Sequence, residues 1–92
     1  MGGNDDATDR TVTASAAVTA RLFAGLERLT RKGGAEQRVP FSQAPTVTAL
    51  CEAVGLAVGV VGLVLVNGVH GDVESSLHGG DEVSLFPPVG GG

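Results

Sequence analysis

The chain holds one cysteine, no tryptophan or tyrosine, and only three phenylalanines, Phe23, Phe41 and Phe86. A lone Cys51 excludes an internal disulfide and any zinc site built on paired cysteines. It also points to a reducing, cytoplasmic setting. With so few aromatics, the core of this 92-residue chain must be built from Val, Leu and Ala. That length suits one domain near the lower end of what buries an independent core. Basic clusters are absent too: six Lys and Arg face ten Asp and Glu, for a net charge of −4. Nucleic acid is thereby disfavoured as a partner, since phosphates need a Lys/Arg-lined face. Mild acidity suits a basic protein partner, and it is equally the ordinary way to stay soluble.

No long hydrophobic run is present. The greasiest stretch, Ala53 to Val66, has 14 residues and is interrupted by Gly55, Gly59 and Gly62. A membrane helix needs roughly 20, so this stretch is expected to be the end of a helix, a turn and a strand, with no membrane association. The opening "MGGNDDATDR" has no apolar core of a secretory signal. Asp6 stands where myristoylation wants Ser or Thr.

The usual parts of an active site are missing as well. His70 follows an Asn-Gly turn and His78 lies in a Gly-rich loop, so both are expected in solvent rather than as buried bases. "HGD" at 70–72 is a weak metal match that lacks a third ligand at suitable spacing. Cys51 falls on the apolar side of a helical pattern and is expected to be a small core residue. Asp72, Glu74, Asp81 and Glu82 crowd the C-terminal third. They form a solvated face, or a docking surface for a basic groove. No phosphate loop, dinucleotide fingerprint or catalytic triad can be assembled, so the chain is not expected to be an enzyme by itself.

What is present is a clear succession of elements. Residues 1–11 are small, polar and charged, and are expected to form a disordered acidic extension. Val12, Ala14, Ala16, Val18, Ala20 and Leu22 then alternate with polar residues, as in a half-buried strand strongest over 15–23. "AGLERLTRKGG" pairs Leu26 with Leu29 and suits a short helical segment stopped by Gly33. "EQRVPF" predicts a second strand with Val39 and Phe41 on one face. Pro40 confines it to a sheet edge. The clearest helix is "TVTALCEAVG": Thr46 is the N-cap, Val47, Leu50, Cys51 and Val54 make the apolar stripe, and Gly55 closes it. Val60–Val66 reads as a strand covered on both faces, and Asn67-Gly68 as a hairpin turn. "ESSLHGGDE" is a loop with one helical turn at Leu77. "EVSLF" is a last strand, with Val83 and Leu85 facing one way and Phe86 the other. The pattern predicts an α+β domain over residues 12–88, one mixed sheet on one main helix.

Phe23 is likewise off-parity from Val18, Ala20 and Leu22, so two aromatics are expected on the uncovered face, where they would form a partner site. After Phe86, Pro87-Pro88 stops the strand and projects the last four residues away from it. Val89, Gly90, Gly91 and Gly92 make a thin flexible tail, residues 89–92, able to thread a narrow channel. Ordering such a tail costs roughly 1–2 kcal/mol per residue, which a partner must supply.

Taken together, "ARLFAGLERL", "TVTALCEAVGL", "LVNG" and "GGDEVSLFPPVGGG" resemble the MoaD/ThiS family of ubiquitin-like sulfur carrier proteins, over roughly residues 17–92. The resemblance implies a β-grasp fold of four to five strands, with first and last strands adjacent and parallel. It implies that an adenylating enzyme of the ubiquitin-activating type uses ATP to adenylate the C-terminal carboxylate. Sulfur then replaces AMP to give a thiocarboxylate. On that resemblance Gly92 carries the reacting group, Gly91 and Gly90 thread beside it, and Phe86 docks. The partner-binding set is Phe23, Phe86, Pro87, Pro88 and Val89. The resemblance further implies no bound cofactor, ATP being used by the activating enzyme, and as partners the adenylyltransferase, the large subunit of molybdopterin synthase and a sulfurtransferase. "FPPV" is more similar to the molybdopterin synthase small subunit than to the thiamine-pathway carriers. A third glycine, Gly90, departs from the Ala, Ser or Thr common there. A protein modifier conjugated through Gly92, or a carrier for thiamine synthesis or tRNA thiolation, stays open.

Overall fold

The computed structural model describes residues 16–88. The expected acidic extension (1–11), the start of the first strand (12–15) and the tail (89–92) lie outside them. Five strands form one mixed sheet: β1 Ala17–Leu22, β2 Glu36–Pro40, β3 Leu63–Val66, β4 Val69–Gly71 and β5 Glu82–Phe86. Their order across the sheet is β2-β1-β5-β3-β4. β1 and β5 run parallel, from Thr19 opposite Glu82 to Leu22 opposite Leu85, and the remaining pairs are antiparallel. β2, with Pro40 at its end, lies at an edge.

One α-helix, α1, runs from Val47 to Val54. Thr46 caps it: its hydroxyl accepts from the Ala49 N–H at 3.1 Å. The Val47 and Thr48 N–H groups donate to Ser75 O and Val73 O at 3.1 and 2.8 Å. The donors that a helix start leaves without partners are thus supplied with acceptors. At the other end, Gly55 takes φ 85°, the left-handed conformation that glycine adopts at least cost. The Arg31 N–H donates to Val54 O at 3.0 Å, and the Arg31 guanidinium donates to Glu52 O and Ala53 O. An eight-residue helix is too short to persist alone; these caps and its buried stripe of Val47, Leu50, Cys51 and Val54 hold it.

That stripe packs on the inward residues of the central strands, Val18, Ala20, Val83 and Leu85, all fully buried. Asn67 (φ 53°) and Gly68 (φ 83°) make the tight turn between β3 and β4, with the two left-handed residues that a type I′ hairpin requires. The Asn67 side chain ties this turn to the next loop, donating to Asp81 Oδ1 and accepting from the Glu82 N–H, each at 2.9 Å.

Four expectations need correction. The apolar run at 60–66 is not a strand covered on both faces: Val58–Val60 is a 3₁₀ turn, β3 has four residues, and only Val64 in it is buried. Among the described residues one α-helix covers one side of the sheet, and no second layer lies above the alternate residues of β3. Leu77 is buried but not helical. Its segment lies extended along the start of α1, with Ser76 bridging Thr46 and the Leu77 N–H donating to Pro45 O at 2.8 Å. The short helical segment is found as a 3₁₀ helix over Leu26–Leu29, but it ends at Thr30 and not at Gly33; Leu26 is buried and Leu29 exposed. Phe41 has left the strand for a 3₁₀ turn and packs on the edge of the core from there.

Replacing Thr46 with Ala removes the side-chain cap alone. Stability should fall by about 1 kcal/mol, read as a lower urea midpoint at unchanged denaturant slope.

Candidate functional site

The sheet has two faces with different fates. Alternation along β1 and β5 sends Val18, Ala20, Leu22, Val83 and Leu85 to the helix. It sends Thr19, Arg21 and Ser84 to the other side. Leu22 and Leu85 are register partners. One residue further on, the Phe23 N–H donates to Leu85 O at 3.0 Å, extending the parallel ladder. Phe23 and Phe86 consequently emerge side by side on the open face. Their rings stack with centroids 4.5 Å apart and planes 6° from parallel. An aromatic pair of this kind adds about 0.5–1.5 kcal/mol beyond its area burial. Even so, Phe23 stays 40% exposed. The stack is a ready apolar surface at the point where the chain leaves the sheet.

Leu63 of β3, opposite Phe86 in register, extends the surface beyond the rings, as does Leu65 opposite Ser84. On the other flank a shallow cleft of about 200 Å³ is lined by Arg21, Leu22, Phe23, Ala35 and Glu36. The Arg21 guanidinium reaches Glu82 Oε2 at 3.3 Å, both side chains being about half exposed. A pair so exposed contributes about 0–1 kcal/mol at most. The apolar platform therefore has a charged border.

Pro87 and Pro88 come directly after. The Phe86 carbonyl accepts from the Gly62 N–H at 2.7 Å, so β5 is hydrogen-bonded to its last residue before the prolines begin. Of the expected partner-binding residues, the structure brings together Phe23, Phe86, Pro87 and Pro88. Val89, Gly90, Gly91 and Gly92 lie outside the described residues. Two neighbours that sequence patterning did not single out are Leu63 and Gly62. Leu63 was hidden in a run assigned wholly to the core; for Gly62 the only signal was a glycine interrupting that run.

The other reactive side chains are placed away from this surface or out of play. His70 is exposed in β4. His78 is exposed, its backbone N–H donating to Asp81 Oδ2 at 2.8 Å. Cys51 is buried in the stripe of α1. Burial first, and the adjacent Glu52 charge second, push its thiol up to about 11, so it holds no thiolate near neutral pH. Among the described residues no group of three or more His, Cys, Asp or Glu side chains is placed to hold a metal ion. Nor is any helix there long and apolar enough to cross a membrane.

Comparison with known proteins agrees with this arrangement. The sequence pattern of the ThiS family matches residues 20–92. The crystal structure of SAMP1 from Haloferax volcanii is 30% identical, with a TM-score of 0.59 over 83% of this chain and 99% of that one. A Pyrococcus furiosus protein described as a putative molybdopterin converting factor, subunit 1, is 25% identical, with a TM-score of 0.60 over 82% and 100%. Urm1 from Trypanosoma brucei, at 18% identity and a TM-score of 0.62 over 85% and 97%, shares the fold. No curated protein matches the sequence. The parallel β1–β5 pair, the single covering helix and the match through residue 92 make the chain a ubiquitin-like β-grasp protein, and it belongs to the ThiS family.

Proposed function

We propose that the chain is a sulfur carrier, the small subunit of a molybdopterin synthase, and that Gly92 bears the sulfur. The observation that carries this reading is the Phe23–Phe86 stack at the root of the "PPVGGG" segment. A carboxylate on glycine looks like any other chain end, so an enzyme that activates it must recognise the folded domain beside it. The stack offers such a recognition surface, and likeness to the Pyrococcus furiosus protein supports the choice of pathway.

The chemistry belongs to partners. In an adenylating enzyme of the ubiquitin-activating type, a Gly92 carboxylate oxygen attacks the α-phosphorus of ATP and pyrophosphate leaves. Adenylation replaces a poor leaving group with a good one. Sulfide-level sulfur then displaces AMP from the acyl carbon and leaves a thiocarboxylate; where a sulfurtransferase delivers it as a persulfide, the acyl disulfide first formed is cleaved by a thiol, which is oxidised to a disulfide. The large synthase subunit would take the sulfur onward to a pterin precursor. The chain itself presents Gly92 and binds no cofactor.

A second reading has its own support. SAMP1, which shares 30% of its residues with this chain, is described as a small archaeal modifier protein. Conjugation to lysines through Gly92 would use the same adenylate.

Deleting Gly92 should abolish ATP–pyrophosphate exchange catalysed by the activating enzyme; a truncated chain that still exchanges refutes the proposal. Intact-mass measurement on protein from its native cells should show a species about 16 Da above the carboxylate form, oxygen being replaced by sulfur. Conjugates on many target proteins, with no such species, would decide for the modifier. Phe86→Ala should weaken binding to the large subunit by about 1 kcal/mol or more, with the native circular dichroism kept. Unfolding would assign Phe86 to the core. Cys51→Ala should carry sulfur as the native chain does, and loss of the sulfur-bearing species would move the carrier site to that thiol.

A further inference from the structure

We infer that Gly62 is a positioning residue for the C-terminal segment: its missing side chain makes the space through which Pro87 and Pro88 leave the sheet. Gly62 stands just before β3, next to Leu63, which pairs with Phe86. A Cβ built there would run into the Pro88 Cα, and would lie 2.6 Å from the Pro88 N and 2.9 Å from the Pro87 carbonyl carbon. All three are backbone atoms, so no side-chain rotation relieves the overlap.

The requirement is one of space and not of dihedral. Gly25, Gly33, Gly55, Gly68 and Gly80 have positive φ, and Gly62 is not among them. An alanine would suit the backbone at 62 and would be excluded only by the prolines. Gly59, in the same loop, provides the contrast: it too has no positive φ, and nothing lies within 4 Å of a Cβ there.

Two contacts at Gly62 therefore fix the departure of the chain. Its N–H holds the Phe86 carbonyl at 2.7 Å, and its bare Cα lets Pro88 lie against it. Proline at 87 and 88 stiffens the step between them, so a displacement at the root moves the point from which residues 89–92 set out. A side chain at 62 would turn that direction while leaving the Phe23–Phe86 stack, and hence docking, in place. Misplacing a reacting group by about 1 Å can cost about 100-fold in rate.

This inference rests on the carrier reading, and the experiment separates the two. Native chain, Gly62→Ala, Gly59→Ala and Pro88→Gly are compared in ATP–pyrophosphate exchange with the activating enzyme, with kcat and KM for the carrier measured separately. For Gly62→Ala the expected result is a fall in kcat of about 10-fold or more, with KM within about twofold. Gly59→Ala should match the native chain. Nuclear Overhauser contacts between the Gly62 and Pro88 Hα protons are expected in the native protein from this approach and should vanish in Gly62→Ala. Native kcat in Gly62→Ala, an equal loss in Gly59→Ala, or a loss confined to KM would each overturn the inference. Should Gly62→Ala fail to fold, Pro88→Gly decides from the other side: its kcat should fall by about 10-fold or more whatever its KM, whereas a native kcat overturns the inference. A native chain that undergoes no exchange at all refutes the carrier reading, and the Overhauser contact then decides the geometry alone.

Discussion

The parallel pairing of β1 with β5 holds the centre of this structure, and the other elements take their places from it. It joins residues 19–22 to residues 82–85, partners 63 positions apart, so about two-thirds of the chain must be closed into a loop before the first of these contacts forms. Loop closure becomes more costly only slowly with length, and burial offsets it. Val18, Ala20, Val83 and Leu85, on the two strands, are fully buried beneath α1. Because β5 is a central strand, its end is gripped from both sides. Phe23 N–H binds Leu85 O on one side, and Gly62 N–H binds Phe86 O on the other. A segment leaving from an edge strand would have only one such anchor.

The period of two along a strand then divides labour without further design. Every residue sent to the helix implies a neighbour sent the opposite way, and among the described residues no second layer covers that opposite face. Small Val, Ala and Leu side chains fill the covered side. The open side receives Phe23 and Phe86, two of the three aromatics in the chain. Large apolar rings kept out of the core of so small a domain are costly unless something else uses them. Stacking reduces this cost by hiding ring against ring, yet leaves an apolar surface beside the departing chain.

Much of this was legible in sequence because local signals agreed. Thr46, the 47–50–51–54 stripe and Gly55 all pointed to one helix, and the helix found is Val47–Val54. Asn67-Gly68 fixed the hairpin, Pro40 fixed the edge, and parity alone put Phe23 and Phe86 on the side away from Leu22 and Leu85. The errors came where only tertiary context decides. A run of Val and Leu at 60–66 reads the same whether one face or two are covered, and among the described residues there is no second layer. Leu77 needed burial, and packing along the start of α1 supplied it without a helical turn. Gly62 was visible only as an interruption, since nothing in a one-dimensional pattern says which backbone will pass over it.

The placement of the remaining reactive groups bears on where any chemistry can reside. A thiol raised to about 11 by burial is a poor nucleophile near neutral pH, and both histidines are exposed, His78 with its Nδ1 3.9 Å from Asp81 Oδ2. What the folded domain offers beside its departing chain is an apolar surface, which suits a handle. Under the carrier reading, four residues separate Pro88 from the end of Gly92. Fully extended, they reach about 13–14 Å. An activating enzyme must therefore grip the domain within that distance of its nucleotide. The apolar surface meeting that constraint most directly is the one at the root itself, where Phe23, Phe86 and Leu63 adjoin. Recognition and delivery then meet at the end of β5 with separate supports: the stack with Phe23 holds the ring of Phe86, while Gly62 holds its carbonyl and leaves room for Pro88.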